Sequence, residues 1–283
     1  MTQSENTYIS DPESGAEMAR LIDQDRLITK GMGGLFTELT PAILTNIHRI
    51  LDVGCGPGGW AQEVAFAYPE KEVVGIDISQ GMIEYARAQA QVQELHNAMF
   101  KVMDASKPLD FPDASFDLVN ARFLNFLPAS VWPKLVQEYY RIIRPGGSIR
   151  LTESEWWYFT NSPAVETINT MIIRAIKAQG SYSHSGRFTG ILPMLGKLLL
   201  DVGCMNVQHV PHVVDFSYGA EAYEGFRRDA AVAFKLFQPF IIKTGAGTRE
   251  EVEQAYDQMI VEMLQEDFRG LMLPLTVWGQ KPL

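Results

Sequence analysis

The sequence predicts an α/β fold in which a doubly wound parallel sheet is covered by helices and extended by a helical cap. Three observations predict it. Short apolar segments at 48–53, 72–76, 99–103, 116–120 and 148–153 alternate with amphipathic stretches, the pattern of strand–helix–strand crossovers. The first of these segments runs into a cluster of glycines that opens a helix, the place where such sheets bind ligands. Past residue 153 the alternation gives way to longer helical patterns, with two further strand-like segments at 207–214 and 273–279.

The elements follow in order. Residues 15–30 place Ala16, Ala19, Leu21, Ile22, Leu27 and Ile28 at near-helical spacing and stop before Gly31, so 1–45 is expected to be an N-terminal helical cap segment and 46–283 the main domain. A helix is expected over 60–68. Ser79 suits the start of the next, which runs to about 93, because its hydroxyl can accept from the free N–H groups of a first turn. A helix over about 130–143 is expected to break at Arg144-Pro145-Gly146-Gly147. Ser162-Pro163 opens a helix that closes at Gly180, and 190–201 forms a shorter one. The last two strands are separated by helical patterns at 219–239 and 248–267. The second is begun by Thr248 with Glu251, a reciprocal capping pair. Tyr218, Tyr223, Phe226, Phe234, Phe237 and Phe240 decorate the first. The insertion at about 215–270 is expected to be a substrate lid, or else a helix pair that uses these rings to pack on the sheet.

The 283 residues are 46% apolar and 20% charged, enough for one large domain with a cap. Lys and Arg number 24 against 34 Asp and Glu, a net charge of −10. That balance repels a polyanion, so no nucleic-acid partner is expected, and a small neutral or cationic partner fits better. Cys55 and Cys204 lie far apart and outside any ligand spacing, which implies neither a disulfide nor a metal. His209 and His212, three apart in a strand, face opposite sides. The polar, acidic start is unlike a secretion signal, and no apolar run nears the roughly 20 residues that span a bilayer. No membrane partner and a cytoplasmic location are expected, as a monomer or a homodimer.

The chemistry concentrates at Ile50-Leu51-Asp52-Val53-Gly54-Cys55-Gly56-Pro57-Gly58-Gly59. Glycines at a strand end let the chain turn sharply and approach a ligand closely. The following helix offers free N–H groups to a carboxylate or phosphate. The glycines also satisfy G-x-G-x-x-G, so by themselves they leave a nicotinamide cofactor open. Three carboxylates refine the reading. Asp52 lies inside the first strand, Asp77 ends the second where it can accept from ribose hydroxyls, and Asp104 follows the third.

On these residues the chain resembles the class I family of S-adenosylmethionine-dependent methyltransferases. The motifs are Leu51-Asp52-Val53-Gly54-Cys55-Gly56-Pro57-Gly58, Gly75-Ile76-Asp77-Ile78-Ser79 with Met82, Asp104-Ala105, Phe116-Asp117-Leu118-Val119 and Arg144-Pro145-Gly146-Gly147. They keep the family's order and spacing over about 48–154. The resemblance implies a Rossmann-like seven-stranded sheet of order 3-2-1-4-5-7-6, with strand 7 antiparallel. It implies S-adenosyl-L-methionine as cofactor and S-adenosyl-L-homocysteine as product. Asp77 would hold the ribose, Asp104 with Ala105 the adenine edge, and Ile78 and Met82 the adenosine faces. The loop with Asp52, Gly54, Cys55, Gly56 and Gly58 would line the methionine part, and Asn120, Ala121 and Arg122 would sit beside the sulfonium. An N-terminal segment carrying Tyr8 and Arg26 would close over the cofactor.

The implied reaction is a single in-line displacement onto O, N or C of a small, apolar or aromatic acceptor. Alignment can supply most of the acceleration, and a base is needed only where the acceptor keeps its proton. The candidates for one are His184, in the polar segment 181–187, and Glu155, just after the fifth strand. The alternatives are a macromolecule methyltransferase or a non-catalytic cofactor-binding relative. The charge speaks against the former, as does Asn120-Ala121-Arg122-Phe123 standing where an Asn/Asp-Pro-Pro-aromatic tetrad would be.

Overall fold

The computed structural model describes residue 11, residues 13–155 and residues 158–283. Tyr8, named above, lies outside the described residues. Five parallel strands carry the first half: β1 (Arg49–Val53), β2 (Glu72–Asp77), β3 (Ala98–Val102), β4 (Phe116–Arg122) and β5 (Ile143–Glu153). β1 and β4 are central and buried along nearly their whole length, as expected of parallel strands covered on both faces. A two-residue strand, β6 (Phe159–Thr160), precedes β7 (Met205–Pro211), β8 (Val214–Asp215), β9 (Gly270–Met272) and β10 (Leu275–Gln280). The seven-stranded sheet has the order β3-β2-β1-β4-β5-β10-β7. β10 runs antiparallel to both β5 and β7, so the expected order and the reversed last strand are both found.

The helices are α1 (Gly15–Gly31), α2 (Pro41–Thr45), α3 (Gly59–Ala67), α4 (Gln80–Val92), α5 (Trp132–Ile142), α6 (Pro163–Gln179), α7 (Leu192–Asp201), α8 (Tyr223–Lys243) and α9 (Arg249–Glu262). One apolar layer joins α5 and α7 to one face of the sheet, through Trp132, Tyr139, Ile149 and Leu195. A second joins α3 and α4 to the other, through Trp60, Val64, Val73 and Ile83. A third belongs to the cap, where α1, α6, α8 and α9 enclose Ile28, Ile172, Phe216, Phe226 and Phe234. No described helix is long and apolar enough to cross a membrane.

Four details differ from the sequence reading. Arg144-Pro145-Gly146-Gly147 does not separate α5 from the strand. It lies inside β5, where Gly146 takes a φ of +77° and the register with β4 shifts between Phe116 and Leu118. The segment expected as one strand over 207–214 is two. Pro211 and Pro274 have no N–H to extend the ladder, and the chain leaves the sheet at His212 to place β8 beside β9. β6, β9 and β8 form a small second sheet that was not expected. Finally, Tyr223, Phe226, Phe234 and Phe240 of α8 are buried in the cap's own core. They pack α8 against α1, α6 and α9 rather than against the main sheet. The repeat of Leu-Asp-Val-Gly-Cys at Leu200–Cys204 is the end of α7, with Gly203 at a φ of +100°.

Candidate functional site

A cavity of about 400 Å³ opens over the carboxyl ends of β1 to β4 and runs beneath α1 and α8. Its floor is the turn after β1. Gly54 and Gly56 take φ values of +66° and +52°, a region open to glycine at little cost. A Cβ on Gly54 would fall 2.7 Å from Leu124 Cδ2, so a larger residue there would also push on the Leu124 side chain. Cys55 N donates to Ile76 O at 2.9 Å, fastening the turn to β2. Asp77 completes the clasp, with Oδ2 accepting from Gly56 N and Oδ1 from Ser79 N, each at 2.9 Å. Burial pushes its carboxyl up against the pull of these bonds, and each oxygen keeps a second lone pair. Ile78, Met82 and Met103 offer apolar flanks beside it, with Ile78 40% exposed.

Asp104 also lines the cavity. It accepts from Ser106 N at 3.0 Å and Ser106 Oγ at 2.6 Å, and pairs with Lys107 at 3.0 Å. Burial alone would raise its carboxyl, but these bonds hold it below the usual range. Asp52 lies deeper. Burial pushes it up to about 7, against the opposing charge of Arg122 and a 2.7 Å bond from Asn120 Nδ2. Asn120 Oδ1 accepts from Arg150 Nη1 at 2.7 Å, and Arg150 pairs in turn with Glu38. Asn120 is thus the buried link between an acid at the cavity floor and an ion pair behind the sheet.

The roof comes from α1, which presents Arg20, Leu21, Gln24, Asp25 and Ile28 to the cavity, with Phe237 of α8 beside them. Arg122, at the end of β4, reaches up to it, pairing with Asp25 and donating to Thr29 Oγ1 at 3.0 Å. Its guanidinium lies 5.6 Å from the Trp60 ring. Arg20 is enclosed by acids. Its Nε and Nη2 donate to Glu17 at 2.7 Å, and its Nη1 to Asp229 at 2.9 Å. Asp229 also accepts from Gln24 at 3.1 Å and Tyr158 at 2.8 Å. The far wall is Phe123, Leu124, Phe126, Leu127 and Val131. Phe123 takes a φ of +56°, a strained conformation for a bulky residue. Glu153 braces the turn by accepting from Leu124 N at 2.6 Å.

Of the residues named from the sequence, Asp52, Gly54, Cys55, Gly56, Asp77, Ile78, Met82, Asp104, Ala105 and Arg122 all line this cavity. Asn120 and Ala121 lie inside the sheet and do not line it. Gly58 faces away: a Cβ there would fall 2.8 Å from Phe100 and 2.9 Å from Ala86, so packing demands this glycine. The two candidate bases need correction. His184 is exposed and away from the cavity, and its carbonyl accepts from Lys177 Nζ at 2.9 Å. Glu155 accepts from Thr189 Oγ1, Gly190 N and Leu192 N at 2.8, 2.8 and 3.0 Å. It holds the start of α7, where a carboxylate complements the helix dipole.

Sequence reasoning expected the N-terminal helix over the site but missed the side chains by which α1 lines it, and the turn after β4. A signal for the roof existed: Glu17, Arg20 and Gln24 follow i, i+3, i+7 spacing, and all three are buried. A polar stripe on the inward face of a helix marks a built network.

The family model described as a methyltransferase domain matches residues 50–147. Over these residues the chain matches a methyltransferase domain of the class I S-adenosylmethionine-dependent kind. Methyltransferase str2 of Strobilurus tenacellus is 28% identical over 179 residues, 60% of this chain and 59% of that one. Aklanonic acid methyltransferase DauC of Streptomyces sp. (strain C5) is 41% identical over 113 residues, 37% of this chain and 47% of that one. The chain thus spans about half the length of these curated relatives. The crystal structure of YcgJ protein from Bacillus subtilis has the same fold, with a TM-score of 0.53 at 18% identity over 86% of this chain and 97% of that one. The residues of this methyltransferase domain fit its family's cofactor. Asp77 keeps lone pairs for a diol, the apolar flanks suit a planar base, and the turn at Gly54 and Gly56 leaves room that side chains would fill.

Proposed function

We propose that the protein transfers a methyl group from S-adenosyl-L-methionine to an O, N or C atom of a small, apolar or aromatic acceptor, as a cytoplasmic enzyme. One observation carries this reading. A single space joins the glycine turn and the Asp77 carboxylate to a wall of Phe123, Leu124, Phe126 and Phe237, so that a nucleoside and an apolar acceptor can meet in it. Asp77 would hold the ribose, Ile78 and Met82 the adenine faces, and Asp52 with the glycine turn the amino-acid end. When bound, the cofactor supplies a methyl group on a good leaving group. The chain's task is to orient the acceptor and exclude water.

The acceptor class follows from the wall and from the charges. Arg20 is matched by Glu17 and Asp229, and Arg122 by Asp25, an arrangement better suited to an uncharged acceptor than to an anion. The resemblance to a relative named for aklanonic acid supports a small molecule. No histidine lines the cavity among the described residues, so alignment is given the main role. α1 and α8 act as the cover. The test is transfer of label from methyl-labelled cofactor into a panel of phenols, quinones, amines and carboxylic acids. Incorporation into an uncharged aromatic compound is expected. Transfer only into protein or nucleic acid would overturn the acceptor class.

A further inference from the structure

α1 sets a carboxylate against the floor of the cavity, where an amino-acid ligand would set its own. Asp25 pairs with Arg122 through Oδ1. Its other oxygen, Oδ2, is buried and accepts no hydrogen bond from the described residues. That oxygen faces Gly59, on which a Cβ would fall only 2.5 Å away. Gly59 is the first residue of α3, whose N-cap is Gly58 and which no described side chain caps. The first turn of an uncapped helix favours an anion through its free N–H groups and its dipole. Asp25 therefore occupies both features that would recognise a carboxylate, the guanidinium and the helix start, while using only the first for a directed bond.

The surrounding charge makes this position crowded. Asp52 feels Arg122 as the strongest opposing charge and Asp25 as a repelling one. Glu63 of α3 is raised by burial and next by Asp25, with Arg122 again the counterweight. Three acids thus bear on one guanidinium, and a further carboxylate arriving at Arg122 would meet the Asp25 side chain already on its Nη2.

We infer that Asp25 competes with the carboxylate of the cofactor's amino-acid end for Arg122 and the start of α3, so that α1 must release Arg122 for the cofactor to seat fully. This rests on the proposed reading of the cavity as an S-adenosylmethionine site. Asp25 is a positioning residue whose exchange couples the roof helix to occupancy of the amino-acid end. A ligand with the same nucleoside and thioether but no amino-acid end would leave the pair intact.

The probes are S-adenosylhomocysteine and 5′-methylthioadenosine, titrated by calorimetry into the wild type, Asp25→Asn and Asp77→Ala. Asp25→Asn should bind S-adenosylhomocysteine roughly fivefold tighter, the scale of one partly exposed ion pair, and methylthioadenosine unchanged. Equal or weaker binding of S-adenosylhomocysteine, or a parallel gain for both ligands, would overturn the inference. Hydrogen exchange on the wild type needs no variant. S-adenosylhomocysteine should raise exchange across 21–29 relative to methylthioadenosine, and equal exchange would count against the release of α1. A wild type that binds neither ligand would sink the proposed function instead. Binding that Asp77→Ala weakens and Asp25→Asn leaves unchanged would sink this inference alone.

Discussion

Replacing Asp52 with asparagine isolates the electrostatic cost built into the cavity floor. Asp52 is 4% exposed, and burial lifts its carboxyl from an ordinary 3.8 to about 7, against the pull of Arg122 and the Asn120 bond. The unfolded chain releases this proton near 3.8 and the folded chain near 7. Between those values the folded state holds a proton that the unfolded state has lost, so stability falls as pH rises. The contribution is fully present below 3.8 and gone above 7. It amounts to roughly 4 kcal/mol in all, of which roughly 2–3 kcal/mol lies between pH 5 and pH 8. An asparagine at 52 cannot titrate, yet its carbonyl can still accept from Asn120 Nδ2. Urea unfolding of both proteins at pH 5, 6, 7 and 8 measures the effect, and every other titrating group cancels in the difference. The wild type should lose roughly 2–3 kcal/mol relative to Asp52→Asn over that range. Two parallel stability curves would refute the reasoning, because they would mean that Asp52 is already ionised at pH 5 in the folded protein.

The other outcomes concern single residues. Asp77→Ala should weaken S-adenosylhomocysteine binding by roughly 1–3 kcal/mol in calorimetry on folded protein, the scale of a lost buried acceptor; unchanged affinity would remove Asp77 from the site. His184→Ala should leave methyl-transfer rates unchanged, since its side chain is exposed and away from the cavity; a loss beyond tenfold would contradict that placement. Gly58→Ala should lower stability in urea by roughly 1–3 kcal/mol, because the residue sits at a φ of +81° with Phe100 and Ala86 in the way of a Cβ. A neutral substitution there would mean that the turn relaxes freely.

The cofactor half of the cavity was largely legible, because its residues are local in sequence. A strand end, its turn and the next helix start lie within a few positions of one another, so Asp52, Gly54, Gly56, Asp77 and Asp104 could be named from spacing alone. Even there, one neighbour was misjudged. Gly58 reads as part of the ligand turn, but its role is decided by Phe100 and Ala86 from β3 and α4. Asn120 reads as a cavity residue, but it serves Asp52 and Arg150 within the sheet. Glu155 reads as a candidate base because it follows a strand, and His184 because it lies in the polar segment 181–187. Whether a carboxylate is available depends on which N–H groups surround it, and Glu155 is saturated by a loop more than 30 residues away.

The amino-acid order by itself determined the alternation of strands and helices and the strand-end glycines and acids, the residues that carry the resemblance from which the sheet order was expected. These depend on short-range periodicity, backbone freedom and steric demands that every local segment carries with it. Only the tertiary structure decided what closes the cavity. Arg20 meets Asp229 across 209 positions, and Arg122 meets Asp25 across 97. Such pairings follow from how α1 settles against α8 and the end of β4, since a polar spacing within one helix does not tell which distant segment supplies the partner.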